Sequence, residues 1–380
     1  MEGKGNIDLF SITKKLESRG HQTLMVLMSD DQFSSQKNIH TILPKPITGF
    51  LTIPLILRKL LKIIRSEKPD IIISEAGWYF PVLLKLLSFF YKIPYVFNFR
   101  GLVLEDIVEW KLHPIYIRWI ANFFVKINNN LYRKNKHVIG TNYALCKYYE
   151  NILKINVPLI GTHSIDLNVY KPITNEEILS TKKNFNISEQ LISIFYTGAI
   201  EKWHVDGIKI LCDTIKEFVD IYPIQLVLGG YGTEKQNIID YIKKIGLMKH
   251  CVILPWLNHS DILKIVASCD ICVDPLIRQF PMDKPPPGKL IEFMACGGCV
   301  ITTDCVNNKE WVKDKENGLI FSGKQIDLKK KLEYLLKNTN KIKDYKIKAR
   351  ETIETKHYEE NKVENLEKYL EELLSKTNPE

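Results

Sequence analysis

The sequence lacks an apolar run long enough to cross a membrane. Its longest stretch without Asp, Glu, Lys or Arg is 221–233, which is interrupted by a proline, a glutamine and three glycines. A transmembrane helix needs about 20 consecutive apolar residues. The first ten residues, MEGKGNIDLF, hold no apolar signal region, so we expect no secretory export.

The composition also lacks the bias of disordered, collagenous or coiled-coil chains. Hydrophobic residues make up 45% and charged residues 26% of 380 residues, which is typical of globular proteins. At about 150 residues per domain, this length predicts two or three domains.

Excess positive charge is missing from the second half of the chain. Residues 171–380 hold 31 basic and 31 acidic side chains, whereas residues 1–170 hold 22 and 13. The whole net charge of +9 therefore belongs to the first 170 residues. Nucleic acid, an anionic membrane surface or an anionic substrate would each fit such a half.

Two cysteine pairs, Cys269/Cys272 and Cys296/Cys299, have the C-x-x-C spacing of zinc sites. The first pair spans a strand pattern in which alternate residues face opposite sides, and the second joins a helix to a strand. A zinc knuckle needs both thiolates of each pair to converge on one ion. We therefore expect buried thiols and no metal.

Short β-type runs alternate with helical patterns, which is typical of parallel sheets covered by helices. The predicted strands are 22–28, 70–74, 94–99, 137–141, 157–161, 191–198, 224–230, 251–255, 271–275 and 299–303. The predicted helices are 7–18, 50–66, 80–91, 114–134, 204–220, 234–245, 259–268 and 288–296, followed by a charged helical tail over 325–376. The strands are apolar enough for burial on both faces, and we expect two sheets rather than one.

The polar segment 161–177 interrupts this alternation and predicts a domain boundary. At the start, Gly3 and Gly5 follow the initiator Met directly, where a strand normally feeds the first glycine loop. Either that strand is absent or the chain start is set too late.

Two segments have features of anion binding. Gly229-Gly230-Tyr231-Gly232 lies between a strand and a helix, where glycines let backbone N–H groups approach an anion or simply permit a tight turn. The full G-x-G-x-x-G fingerprint is missing, which disfavours a nicotinamide dehydrogenase.

The second segment is 285–298, in which three prolines precede a helix opened by Gly288. Free N–H groups at that helix start can hold a diphosphate. Lys289 opposes the helix dipole, so an anion should offset it, and Glu292 shares its face and would suit sugar hydroxyls. The alternative is an exposed Lys–Glu pair.

The stretch PGKLIEFMACGGCVI resembles the signature P-x-K-x-x-E-[YF]-M-A-x-G-x-P-V-I of glycosyltransferase family 4. Further segments resemble parts of the same family in the same order, and together they cover roughly the whole chain. They are its first glycine loop and helix (3–22), the inter-domain segment (163–172), the Y-x-G…W-H strand and turn (195–211), the G-x-G turn (226–232) and the base-binding loop (253–275).

The resemblance implies an α/β protein of the GT-B architecture, in which two Rossmann-like domains with parallel sheets face each other across a cleft. It implies an acceptor-binding domain over 1–165, a nucleotide-sugar-binding domain over 166–345, and a C-terminal helix, 346–380, that crosses back to the first domain. It also implies transfer with retention and no metal or other cofactor.

Carried over by position, the resemblance assigns Glu292, Lys202 and Arg100 to catalysis. Glu292 matches the second Glu of the family's E-x7-E motif, the first falling at Lys284. Lys202 would hold the diphosphate, since Ala199 stands where an Arg is common. The implied donor-binding residues are Gly198, His204, Gly230, Gly232, Pro255, Trp256, Leu257, Gly288, Lys289, Leu290 and Glu292, with Gly3 and Gly5 in the first glycine loop.

Two of these residues have alternative roles. His204 either contacts the donor or caps the helix that follows it. Arg100 either meets an anion or pairs with Glu105 or Asp106.

Two segments of the first domain, 49–69 and 113–136, combine apolar residues at helical spacing with basic side chains. Such helices either lie on an anionic bilayer or face the core with a solvated basic back.

The leading hypothesis is a retaining glycosyltransferase that moves a sugar from a nucleotide sugar to a glycan or lipid-linked acceptor in cell-surface polysaccharide or glycoconjugate synthesis. We expect a cytoplasmic protein at the inner face of the membrane, without a nucleic-acid partner. The alternatives are a GT-B nucleotide-sugar epimerase and a non-catalytic nucleotide-sugar-binding subunit.

Overall fold

The computed structural model describes residues 12–27, 39–41, 53–74, 80–102, 108, 114–135, 137–160, 165–277, 288–356 and 359–377. Ile165–Glu359 forms one compact unit, unit 2, and the preceding chain together with Glu360–Glu380 forms the other, unit 1. No helix in these residues is both long and apolar enough to cross a bilayer.

Unit 1 is built on parallel strands. Residues 12–18 are helical, and the strands and helices that follow are β1 (Met25–Leu27), β2 (Ile39–Thr41), α1 (Ile53–Glu67), β3 (Ile72–Ser74), α2 (Phe80–Tyr91), β4 (Tyr95–Phe99), α3 (Ile115–Asn135), β5 (Val138–Gly140) and α4 (Tyr143–Leu153). Strands β3, β4 and β5 form one sheet in that order, and β1 pairs with β2.

Unit 2 holds a larger sheet. Its elements are α5 (Asn175–Asn184), β6 (Ile192–Tyr196), α6 (Val205–Phe218), β7 (Ile224–Leu228), α7 (Lys235–Lys244), β8 (Cys251–Ile253), α8 (His259–Ser268), β9 (Ile271–Asp274), α9 (Gly288–Ala295), β10 (Cys299–Thr303), α10 (Asn308–Trp311), β11 (Leu319–Phe321), α11 (Gln325–Lys337) and α12 (Thr339–Lys356). The last helix of the chain, α13 (Glu359–Thr377), belongs mainly to unit 1.

The six strands of unit 2 lie in the order β11-β10-β9-β6-β7-β8, and every pairing between them is parallel. Along the chain, the strands are therefore added from β6 outward to the edge strand β8. The chain then returns to the middle, and strands are added from β9 outward to the edge strand β11. This is the doubly wound Rossmann arrangement, with its switch point between β6 and β9. Parallel sheets in both units confirm the predicted fold class.

The cores follow from the sequence pattern. All five residues of β4, β7 and β10 are buried, as expected for strands covered by helices on both faces. In α1, the apolar residues Ile56, Leu60 and Ile64 recur every four positions and are buried, which places one stripe of the helix against the sheet.

The last helix completes the core of unit 1. Val363 and Leu366 of α13 are buried in one cluster with Val96 of β4 and Ile139 of β5. Outside this cluster, Glu367 accepts hydrogen bonds at 2.6 Å from Arg19 and at 2.7 Å from His21. The predicted crossing back of the C-terminal helix is therefore present, and it begins near residue 360.

Helix α12 stays in unit 2, although the predicted boundary at residue 346 would divide it. Ala349 and Ile353 are buried in the core of unit 2. Arg350 donates hydrogen bonds to the carbonyl oxygens of Tyr170 and Ala295.

Several local elements differ from the prediction. Of the predicted strand 157–161, the described residues 157–160 form a single bridge, between Leu159 and Gly140, because Pro158 has no N–H to donate to a ladder. The strands β2 and β11 and the helices α4, α5 and α10 were not predicted. Strand β11 holds only three residues, between Gly318 and Gly323, and carries no readable alternation.

Candidate functional site

The switch point of the unit 2 sheet brings two predicted loops together. Strand β6 ends shortly before Gly198, and its neighbour β9 ends at Asp274. The two strands are paired through Ile194 and Ile271. In doubly wound folds, ligands bind outside the carboxyl ends of the strands at this point. The predicted donor residues Gly198 and Lys289 meet here.

Two glycine turns pack backbone to backbone at this edge. Gly198 and Gly230 have φ angles of +140° and +117°, in the region that favours glycine. A Cβ on Gly230 would lie 2.1 Å from the carbonyl oxygen of Gly198, so no other residue fits without a shift. The tight-turn interpretation therefore accounts for Gly230 even without a ligand.

Lys289, in the first turn of α9, reaches back to this turn. Its Nζ lies 2.9 Å from Oδ1 of Asp274 and 4.6 Å from the centre of the Tyr196 ring. A Cβ on Gly198 would lie 3.2 Å from the same nitrogen. The Lys289 side chain is only 17% exposed, so the alternative of a solvated Lys–Glu pair is wrong for this lysine.

The electrostatics keep Lys289 charged. Burial lowers its pKa, but Asp274, Tyr196 and Glu292 outweigh burial and raise the pKa above its ordinary value. A lysine at the start of a helix was predicted to need an anion that offsets the helix dipole. Asp274, a residue of the protein itself, is such an anion. Glu292, on the same helix, is half-buried.

His204 borders the same turn. Burial, and then the charge of Lys289, lower the pKa of His204 to about 4, so its ring is neutral near pH 7. The Nδ1 atom accepts a hydrogen bond of 3.4 Å from the Glu201 N–H, which leaves the ring proton on Nε2 as a donor. The side chain makes no capping hydrogen bond to α6, so the capping alternative is wrong.

Glu201 ties the two glycine turns to each other. Its carboxylate accepts hydrogen bonds from the Thr233 hydroxyl at 2.6 Å and from the Thr233 N–H at 3.3 Å. Ala199 also joins the two glycine turns, because it forms a parallel β-bridge with Tyr231. Glu201 was not predicted as a site residue, because its partner Thr233 lies 32 residues away in the chain.

Lys202 lies in the turn that joins Gly198 to α6, and its side chain is exposed. Among the described residues, none hydrogen-bonds or pairs with its ammonium group. Its role toward a diphosphate stays a prediction.

The loop after β8 combines exposed and packed side chains. Pro255 and Trp256 are exposed, whereas Leu257 packs against the core of unit 2. Lys235, at the start of α7, donates a hydrogen bond of 3.0 Å to the Leu254 carbonyl, and burial lowers its pKa. Lys235 was also missed, although its position directly after the glycine turn was a usable signal.

The remaining predicted residues are distributed as follows. Gly288 and Leu290 flank Lys289 in α9, where Leu290 is buried, and Gly232 follows Gly230 in the second glycine turn. Arg100 follows β4 in unit 1 and is half-buried. Gly3, Gly5, Lys284, Glu105, Asp106 and the three prolines before α9 lie outside the described residues.

The four cysteines of the C-x-x-C pairs are all buried. Across the described part of the chain, no three of their sulfurs come within 4.8 Å of one another. Burial raises the pKa of Cys269, Cys296 and Cys299 to about 12 and raises that of Cys272 as well. Without a bound metal, each is therefore a protonated thiol at neutral pH.

Two family models match this chain. The family model described as "Glycosyl transferases group 1" matches residues 178–352, which include the whole switch-point site. The model described as "Glycosyltransferase Family 4" matches residues 9–156.

Two curated relatives are similar over part of their length. The chitobiosyldiphosphodolichol beta-mannosyltransferase of Candida albicans is 28% identical over 173 residues, 42% of this chain and 37% of that protein. The N,N'-diacetylbacillosaminyl-diphospho-undecaprenol alpha-1,3-N-acetylgalactosaminyltransferase of Campylobacter jejuni is 24% identical over 262 residues, 65% of this chain and 62% of that protein. The chain thus spans less than two thirds of the length of either relative.

Solved structures share the fold over almost the whole chain. HepE of Anabaena, crystallised with UDP, superposes with a TM-score of 0.78 at 17% identity, covering 98% of this chain and 97% of that one. The sucrose-phosphate synthase of Thermosynechococcus elongatus gives a TM-score of 0.77 at 16% identity, with 98% and 94% covered. The two family models together cover most of the chain, and the chain belongs to glycosyltransferase family 4.

Proposed function

We propose that this protein transfers a sugar from a nucleotide-sugar donor, bound by unit 2, to a glycan or lipid-linked acceptor. The observation that carries the proposal is the ammonium group of Lys289, held beside Gly198 at the switch point of the sheet. A fixed cation near a helix N-terminus suits a leaving diphosphate, whose negative charge grows in the transition state.

The donor side has the parts that such a reaction needs. Lys289 supplies positive charge, neutral His204 supplies an N–H donor, and half-buried Glu292 supplies an acceptor for hydroxyl groups. HepE, which shares the fold, was crystallised with UDP, so UDP-sugars are the first donors to test.

The acceptor is proposed from the names of the two relatives, each of which acts on a sugar linked through diphosphate to a polyprenyl lipid. A lipid-linked acceptor stays in the membrane, so the enzyme has to reach the bilayer surface.

Two helices of unit 1 support such contact. Helix α3 exposes Trp119 and Phe123, of which Trp119 is 75% exposed, and α2 exposes Phe89 and Phe90. Exposed aromatic side chains suit a bilayer interface, and α3 also carries Arg133 and Lys134 in its last turn, which suit anionic lipid. Helix α1 fits in part the alternative of a core-facing helix with a solvated basic back. Its residues Ile56, Leu60 and Ile64 face the core, and its basic side chains are exposed.

Activity is tested by incubating the protein with UDP-, GDP- and ADP-sugars and a polyprenyl-diphosphate glycan, with detection of the released nucleoside diphosphate and the lengthened glycan. Transfer supports the proposal. Conversion of the donor sugar without transfer would indicate an epimerase, and binding without turnover would indicate a non-catalytic subunit.

Retention of anomeric configuration is part of the proposal, and the anomeric coupling constant of the product tests it. The two relatives carry beta and alpha in their names, so the product must be assigned directly.

Membrane contact is tested by co-sedimentation with vesicles that contain anionic or only zwitterionic lipid. We expect binding to anionic vesicles that is lost in Trp119→Ser/Phe123→Ser. The control is Ile221→Ser, which removes an exposed apolar side chain from unit 2. Equal binding by both variants would contradict a bilayer surface on α3.

A further inference from the structure

Strand β9 has a carboxylate at each end, and each one faces a buried lysine. Asp270 directly precedes the strand and lies 3.7 Å from Lys182, whereas Asp274 ends the strand and lies 2.9 Å from Lys289. Both pairs join an aspartate to a lysine, but Asp270 is 32% exposed and accepts its hydrogen bonds from Ser193. In a doubly wound fold, only the carboxyl edge is the ligand-binding edge.

The position of Lys289 is unfavourable without a partner. An ammonium group in the first turn of a helix opposes the positive end of the helix dipole. Burial of a charge without a counter-charge costs still more, and a buried lysine responds by losing its proton or moving into solvent. Asp274, 4% exposed, supplies the counter-charge.

The surroundings of the ammonium group leave it little freedom. Asp274 lies 2.9 Å from it, and the centre of the Tyr196 ring lies 4.6 Å from it. A Cβ on Gly198 would lie only 3.2 Å from it. A lysine ammonium has three N–H donors, so the bond to Asp274 leaves donors for a phosphate oxygen.

We propose that Asp274 is the positioning residue that fixes the Lys289 ammonium beside Gly198, so that the donor diphosphate meets a cation already in place. The inference rests on the proposed function, which supplies the diphosphate. Asp274 acts through Lys289 and needs no contact with the donor. Preorganisation of this kind lowers the reorganisation required when the leaving group departs.

The test is the binding of UDP, GDP and ADP, measured by calorimetry at pH 7 and pH 9, to the wild type, Asp274→Asn and Asp270→Asn. For the nucleotide that the wild type binds, we expect Asp274→Asn to weaken binding at least about tenfold at pH 7, the scale of one hydrogen bond to a charged group. Binding should weaken further toward pH 9, because an unpaired buried lysine loses its proton more readily.

Asp270→Asn is the control, since it removes the aspartate charge at the opposite end of the same strand, where Asp270 pairs with Lys182 and accepts from Ser193. It should lower the melting temperature but leave nucleotide affinity within about threefold and independent of pH between 7 and 9. If Asp274→Asn binds as tightly as Asp270→Asn, or shows the same pH dependence, the proposal is wrong.

A second measurement needs no nucleotide. A pulse of acetic anhydride followed by peptide mass spectrometry reports how fast the Lys289 amine is acylated. We expect acylation at least about tenfold faster in Asp274→Asn than in the wild type, because the charged, paired amine is protected. Equal rates would overturn the positioning role. Failure of the wild type to bind any of the three nucleotides would contradict the proposed function instead.

If Asp274→Asn does not fold, Asp274→Asn/Lys289→Met removes both charges and leaves no unpaired ion. We expect this double variant to recover stability without recovering UDP, GDP or ADP binding. Recovery of affinity together with stability would show that the pair serves folding alone.

Discussion

At the scale of single residues, Glu292 is the carboxylate that we expect to contact donor hydroxyls. Glu292→Gln keeps the shape and removes the charge, so turnover should fall at least about tenfold with the fold intact. Steady-state kinetics with varied donor concentration, together with a melting curve, check this. The control is Glu333→Gln, which breaks a helix-surface pair with Lys337. Unchanged donor kinetics would remove Glu292 from the site.

Lys202 is the second cation proposed for the diphosphate, and it is exposed in the turn before α6. Leaving-group charge grows in the transition state, so Lys202→Ala should lower kcat by about 10²-fold with a smaller effect on KM. Lys202→Arg should recover part of the loss. The control is Lys183→Ala on the exposed side of α5. Near-normal kcat in both Lys202 variants would leave Lys289 as the cation that serves the leaving group.

His204 predicts a dependence of stability on pH. Its pKa of about 4 in the folded protein lies below the ordinary value of 6.5, so the unfolded chain binds more protons between these values. His204 therefore stabilises the fold fully above about pH 6.5, and its contribution is lost as pH falls toward 4. Melting temperatures from pH 4.5 to 7.5 should fall less in His204→Gln than in the wild type. Parallel curves would contradict a neutral, buried His204.

At the scale of elements, the donor helix α9 is held at both ends. Lys289 joins its first turn to β9, and Arg350 of α12 donates to the Ala295 carbonyl at its last residue and to the Tyr170 carbonyl. A cation at a helix C-terminus also complements the dipole.

Arg350→Met should therefore lower the free energy of unfolding by about 2 kcal/mol, the scale of charge-assisted hydrogen bonds, and weaken donor binding. Urea denaturation and nucleotide calorimetry measure the two effects. Lys348→Met, an exposed position on the same helix, is the control. A loss of stability no larger than that of the control would show that Arg350 does not hold α9.

The alternation of apolar strands and helical stretches was enough to predict parallel sheets, because burial on both faces removes polar residues from a strand. It did not predict the three-residue strands β2 and β11 or the helices α4, α5 and α10, and it predicted a strand over 157–161 where the structure has a single bridge. Patterns report the average character of a segment, whereas hydrogen-bond partners depend on neighbours distant in sequence.

The candidate site likewise holds residues that local sequence indicates and residues that depend on distant partners. Gly198, Gly230 and Lys289 could be found from their positions beside strands and helix starts. Asp274 was not singled out, although a carboxylate at the carboxyl end of a parallel strand is a usable signal. Its pairing with Lys289 depends on how β9 and α9 meet across a 15-residue separation, which local sequence does not specify.

At the scale of the whole molecule, we predict catalysis without a metal ion. Cationic side chains and helix N-termini would take the role that a divalent ion has elsewhere. Activity should therefore survive dialysis against EDTA, and elemental analysis should find no zinc. Zinc held by Cys269, Cys272, Cys296 and Cys299 would overturn the interpretation of these four residues as buried thiols.

The return of α13 to unit 1 has a consequence for synthesis on the ribosome. Val96 and Ile139 emerge early, but Val363 and Leu366, which cover them, are more than 200 residues downstream. All of unit 2 is therefore synthesised before the last helix of unit 1, α13. A message truncated before codon 360 would thus yield a complete second unit attached to a first unit with bare apolar side chains, a product that chaperones and proteases recognise.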